Sequence, residues 1–139
     1  MPVQMAVTGD GRDLTLWGNL EQNSGGSSAL VPGGGEEYAV PSMTLEQVFE
    51  QFVPGRCKLL KMDVEGMEYE VIAASNDLLK RADYLALEIH SNALLAAQGE
   101  TAKRLTNICA SYIPEERLRV CVSGLADGVE DAETEGAEE

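Results

Sequence analysis

The chain has 139 residues, 10 Lys+Arg against 24 Asp+Glu, a net charge of −14, three cysteines and one histidine. That length suits a single domain, which buries roughly two thirds of its unfolded surface when compact. The negative balance repels phosphate backbones and anionic lipid, so nucleic-acid binding and polybasic membrane docking are disfavoured, and cationic or neutral partners remain open. No apolar stretch approaches the length of a membrane span, and Met1 leads into no basic-then-apolar leader. Cys57, Cys109 and Cys121 are widely spaced with no C-x-x-C pair, which argues against a disulfide framework and a structural zinc site. A cytoplasmic location is expected. With His90 as the lone histidine, H-E-x-x-H and three-histidine zinc sites cannot form.

Taken in chain order, Gln4–Val7, the Gly9-Asp10-Gly11 turn and Leu14–Trp17 read as strand, turn, strand. Residues 18–35, rich in Gly, Ser and Asn, have loop composition. Gly33-Gly34-Gly35 lacks the preceding strand and following Lys-Ser/Thr of a phosphate loop and reads as a linker. Tyr38-Ala39-Val40 is a short strand that Pro41 ends. Thr44 opens a helix with a capping box to Gln47, and Leu45, Val48, Phe49 and Phe52 share one face until Pro54-Gly55 stops it.

Lys58–Val64 has the apolar content of a buried strand, and Glu65-Gly66 turns the chain into a helix expected from Met67 to Lys80. Val71, Ala74, Leu78 and Leu79 are its expected buried face. Tyr84–His90 is a second apolar strand, so residues 58–90 spell a right-handed βαβ unit of a parallel sheet. Leu94, Leu95, Ala102, Leu105, Ile108, Cys109 and Tyr112 recur with helical period as one further helix, ended by Pro114. Leu118, Val120 and Val122 alternate as a last strand. Seven of the last 13 residues are acidic and none is basic, so residues 1–125 form the domain and 126–139 a tail expected to be disordered. The tail carries half of the net charge.

Ligands of an open α/β sheet bind outside the carboxyl ends of its strands. Two strands here end in polar groups. One delivers Asp63 and Glu65 beside Gly66, the other Glu88 and His90, and adjacent strands bring all four to one place. Carboxylates in the first turn of a helix also complement its dipole, which accounts for Glu65 and Glu68 without any chemistry. Lys61 has carboxylates nearby to pair with. Asp63, Glu65 and Glu88 suit Mg²⁺ or Ca²⁺ by ligand type, but three carboxylates near strand ends are insufficient to assign a metal.

The string LLKMDVEGMEYEVI, residues 59–72, resembles the K-x-D-x-E-G-x-E signature of the FkbM-type S-adenosylmethionine-dependent methyltransferases, here Lys61, Asp63, Glu65, Gly66 and Glu68. The resemblance runs over residues 3–90. It takes in Ala6-Val7 with Asp10-Gly11, the Gly26-Ser27-Ser28 loop, Val40-Pro41 leading to Thr44-Leu45, and Leu87-Glu88-Ile89-His90. The fold it implies is α/β of the Rossmann-like methyltransferase type, a mixed, mostly parallel sheet flanked by helices. The activity it implies is methyl transfer from S-adenosylmethionine to an oxygen of a small molecule or sugar. On that resemblance Asp63 faces the methionine part of the cofactor and holds its ammonium, and Ala6 and Val7 pass the adenine. Glu65, Glu88 and His90 are candidates for acceptor binding or proton removal.

Members of that family begin with a strand and Gly-rich turn that cradle the cofactor, then a second strand ending in an acidic residue. The sequence resembles the C-terminal portion of the domain, beyond these two strands, so both cofactor binding and activity are expected to require the N-terminal segment. The two strands lie, in the family's usual order, between the counterparts of Gln4–Val7 and Lys58–Asp63, leaving these about 14 Å apart. Either Val3–Val7 and Leu14–Trp17 repack beside Lys58–Asp63, or a second chain fills the gap. The alternative function is therefore an inactive half-domain that self-associates through its exposed sheet edge.

Overall fold

The structure, a computed structural model, describes residues 1–18, 29, 36–91 and 93–123. The acidic tail and nearly all of the 18–35 loop lie outside the described residues. Among the described residues, seven strands and four α-helices are arranged in the order β1 (Ala6–Thr8), β2 (Leu14–Gly18), β3 (Glu36–Val40), β4 (Ser42–Thr44), α1 (Leu45–Phe52), β5 (Cys57–Met62), α2 (Glu68–Ser75), β6 (Ala82–His90), α3 (Ala93–Ala97), α4 (Ala102–Ala110) and β7 (Leu118–Ser123). The architecture is α/β. The principal sheet is parallel throughout, in the order β5-β6-β7, with β6 central.

Strand β6 shows why this sheet forms. Leu85, Leu87 and Ile89 alternate with Tyr84, Ala86, Glu88 and His90, and the first set is no more than 2% exposed. Against that set pack Val71 and Ile72 of α2, Leu79 of the 3-10 turn after it, and Leu105 and Cys109 of α4. Burying these five side chains gives about 1.5–3 kcal/mol each for the aliphatic ones, the largest favourable contribution in this half. Burial also pushes the Cys109 thiol up to about 11, so it is inert packing.

The helix α1 keeps its sequence-predicted cap. Thr44 Oγ1 accepts from Gln47 N–H at 3.1 Å and Gln47 Oε1 accepts from Thr44 N–H at 2.8 Å. Leu45 and Phe49 are buried, while Phe52 is 47% exposed because α1 ends there.

Four expectations need correction. First, β1 pairs parallel with β4, and β2 pairs antiparallel with β3, so neither repacks beside β5. The residues Ser42–Thr44, which show no strand period behind Pro41, supply β1 with its partner. Second, β5 is not a buried strand: among the described residues it pairs only with β6, and Leu59 is 59% exposed. Third, the helix begun at Glu68 tightens after Ser75 into a 3-10 turn over Asn76–Arg81. Leu79 is buried as expected, whereas Leu78 is only half-buried and Ala74, within α2 itself, is exposed. Fourth, the single helix expected over residues 94–112 is two. Gly99 adopts φ +78°, and Glu100 N–H donates back to the Leu95 carbonyl, a glycine-terminated C-cap; Thr101 then caps α4 by accepting from Arg104 N–H at 3.2 Å.

Candidate functional site

The site is built where β5 and β6 end. Parallel register sets Met62 beside Leu87, so the residues just beyond each partner, Asp63 and Glu88–His90, emerge together. After Asp63 the chain must reverse into α2 within a few residues. It does so with Glu65 at φ +52° and Gly66 at φ +101°, closed by a hydrogen bond from Met67 N–H to the Val64 carbonyl at 3.1 Å. Gly66 fits that backbone freely, whereas Glu65 holds a conformation that side-chain-bearing residues rarely adopt. The left-handed pair swings the Glu65 carboxylate back toward β6.

Glu68 governs the geometry around the turn. It is fully buried, yet both oxygens are occupied: Oε1 accepts from Val64 N–H at 3.1 Å, and Gly66 N–H lies 3.2 Å from Oε1 and 3.1 Å from Oε2. Its own carboxylate thus satisfies backbone donors at the start of α2, where Met67 offers no side-chain cap. The same Oε1 lies 2.9 Å from His90 Nδ1.

The other ring nitrogen, Nε2, faces Glu65 Oε2 at 3.4 Å, Asp63 Oδ1 at 3.8 Å and Glu88 Oε1 at 4.0 Å. Lys61 Nζ approaches the far oxygen of Asp63 at 3.5 Å. Burial of the ring opposes its charge, but the Glu68 hydrogen bond and the charges of Glu68, Glu65 and Asp63 outweigh it and hold the imidazole above its ordinary value. Tyr69 Oη donates to the His90 backbone carbonyl at 3.3 Å, a second tie between α2 and this strand end.

The four residues singled out from sequence, Asp63, Glu65, Glu88 and His90, are therefore brought together. Ala6 and Val7 lie in a cleft of about 220 Å³ whose walls include Leu16, Val64 and Met67. Glu65 lines that cleft as well, so it joins the apolar space to the charged cluster. Glu68, read from sequence as a dipole complement, is also the residue that holds His90. Its position three residues after Glu65 in the signature was the signal, but the contact with a strand 22 positions away is tertiary. One ligand atom each from Asp63, Glu65 and His90 lies within 4.8 Å of the others. We assign no cation to them, because Lys61 already pairs with Asp63 and the group is partly exposed to solvent.

Chemically, the arrangement offers carboxylates for a cationic or hydroxyl-bearing ligand, one imidazole able to take or give a proton, and an adjoining apolar cleft suited to a flat ring. The family model described as the methyltransferase FkbM domain matches residues 3–112. No curated protein and no solved structure matches the chain.

Proposed function

The chain belongs to the FkbM methyltransferase family, and from that premise we propose that it moves a methyl group from S-adenosylmethionine to an oxygen of a small molecule or sugar. The observation that carries the reading is the convergence of Asp63, Glu65, Glu88 and His90 at two adjacent strand ends, next to the cleft of Ala6 and Val7. The cofactor supplies an electrophilic methyl carbon on a sulfonium. The residues present suit such a ligand. Ala6, Val7 and Met67 are apolar walls for an adenine, and Asp63, with a third of its side chain exposed, can accept from an ammonium. Glu65 and Glu88 accept from acceptor hydroxyls, and His90 takes the proton that leaves.

Alignment is the main demand of the reaction, an in-line displacement in which acceptor oxygen, methyl carbon and sulfur must be collinear. Isothermal titration with S-adenosylmethionine tests the reading. Micromolar binding by this chain alone would mean its own residues suffice. Binding only when an upstream strand and Gly-rich turn are supplied would keep methyl transfer but make it a joint property. Absence of binding in both cases overturns the proposal.

One observation favours a second reading, association of two copies along β5. That strand's outer edge has no partner among the described residues, and Leu59 stands 59% exposed beside Tyr84 at 48%. Size exclusion over a hundredfold concentration range tests it. A persistent monomer removes it, and a dimer lost on Leu59→Lys supports it.

A further inference from the structure

In the charged cluster, the hydrogen-bond roles are set by what each atom is able to give. Glu68 accepts from the N–H groups of Val64 and Gly66, as a carboxylate does, and a carboxylate has no proton to donate. The atom 2.9 Å away, His90 Nδ1, must therefore be the donor. A neutral imidazole carries one proton. With that proton on Nδ1, the lone pair is on Nε2.

That lone pair points toward Glu65, Asp63 and Glu88 at 3.4–4.0 Å. Four acceptors then face one another with no hydrogen between them, an arrangement stabilised only by a proton on Nε2 or by a ligand bringing donors of its own. Resting on the methyl-transfer reading above, we propose that Glu68 is a positioning residue that fixes His90 as the base, with Nε2 taking the proton of an acceptor hydroxyl. The acceptor is then a neutral or amine-bearing polyol, whose further O–H or N–H groups satisfy the flanking carboxylates.

The step balances. The O–H bond breaks and its proton passes to His90 Nε2, while the oxygen's electron pair forms the bond to the methyl carbon. The carbon–sulfur bond breaks and leaves its pair on sulfur, which becomes a neutral thioether. The imidazolium is held between Glu68 and the three carboxylates until its proton passes to water. Anionic acceptors are rejected, because a phosphate or carboxylate brought among Asp63, Glu65 and Glu88 adds like charge without adding a donor.

Because His90 is the sole histidine, ring-¹⁵N NMR of histidine-labelled protein reads this one side chain without assignment, and needs neither cofactor nor acceptor. Above the ring's titration, the expected tautomer has the proton on Nδ1, the reverse of the one an unconstrained histidine prefers. A neutral ring protonated on Nε2 overturns the proposal with no variant required. Glu68→Gln keeps the shape of the side chain and removes its charge, and is expected to move the ring's titration midpoint down by about one unit. An unmoved midpoint in a folded variant also overturns it.

Titration with methyl glucoside and glucosamine is expected to perturb the Nε2 resonance, whereas glucuronate and glucose 6-phosphate leave it in place; the opposite order refutes the acceptor class. Where methyl transfer is measured, the acid limb of the Glu68→Gln pH profile should move down with the ring, and kcat should fall about 10²-fold. Correct ring behaviour without any methyl transfer would leave the hydrogen-bond assignment standing and sink the functional reading instead.

Discussion

Helix α2 carries two glutamates, two positions apart, that do opposite things with similar geometry. Glu68 turns to the carboxyl end of the sheet and takes the Gly66 N–H and His90; Glu70 turns to the β1–β2 turn and takes the Gly9 N–H at 2.9 Å and Arg12. The guanidinium of Arg12 grips Glu70 with both terminal nitrogens, each at 2.8 Å, and also reaches Asp10 at 2.8 Å. This hydrogen bonding, with the Gly9 N–H, holds the Glu70 carboxyl below the usual carboxylate range against the cost of burial. Arginine stays charged at every pH a protein survives. The Glu70 cluster is accordingly a clamp, which ties the β1–β2 turn to α2. Histidine changes charge near neutrality, so the Glu68 cluster can pass a proton. On the proposed reading, the partner of each carboxylate separates a structural contact from one that handles a proton.

The largest effect that sharpens this contrast is on turnover. His90→Asn is expected to lower methyl transfer by about 10²-fold or more while the chain stays folded, since asparagine still offers Glu68 a donor. Release of the demethylated thioether product and a thermal melt, run side by side, check both halves. Loss of fold without loss of specific activity would reverse the roles assigned to the two clusters.

Next is the clamp's footing. A Cβ on Gly9 would sit 3.0 Å from the Glu70 backbone oxygen and 3.4 Å from the Ala74 Cβ. Neither can retreat without moving α2, so Gly9→Ala should cost about 1–3 kcal/mol, read as a lower urea midpoint. Removing the grip itself, by Arg12→Ala, should cost less, about 1 kcal/mol. Arg12 is 47% exposed and solvent screens the pair, although the paired geometry retains part of its value. A larger loss for Arg12→Ala than for Gly9→Ala would mean that the charge pairing, and not the close approach of backbone, seats β1 on the helix.

How much of this could be read from the residues varies by element. The βαβ unit, the Thr44–Gln47 cap and the meeting of Asp63, Glu65, Glu88 and His90 are dictated by local period, local side-chain chemistry and one rule about strand ends. What escaped reading depends on distant partners. Ser42–Thr44 is too short to show a period, and is a strand only because Ala6–Thr8 lies beside it. Leu59 sits in an apolar run that looks buried, and is exposed on the same face as its register partner Tyr84 of the central strand. The split after residue 97 was the exception, since Gly99 and Thr101 are a stop and a start visible in sequence. The helical recurrence of apolar residues on both sides concealed it. Glu68 and Glu70 are alike in residue type and helical position, and although the signature singles out Glu68, only the tertiary fold assigns it to His90 and Glu70 to Arg12.

The smallest expected effect separates the two clusters by the sign of their pH dependence. Glu70 has a lowered folded-state pKa, so its contribution is complete above the unfolded carboxyl value and is lost as pH falls through the folded one. The stability gap between the chain and Arg12→Ala should therefore close on the acid side, below about pH 4. His90 is raised, so its contribution is complete below its unfolded value, near 6.5, and is lost as pH climbs through the folded value. The gap between the chain and His90→Asn should close on the alkaline side instead. Urea unfolding from about pH 3 to 9 measures both gaps. If both closed in the same direction, the division of α2 into a clamp and a proton-handling face would fail, whatever the turnover of either variant.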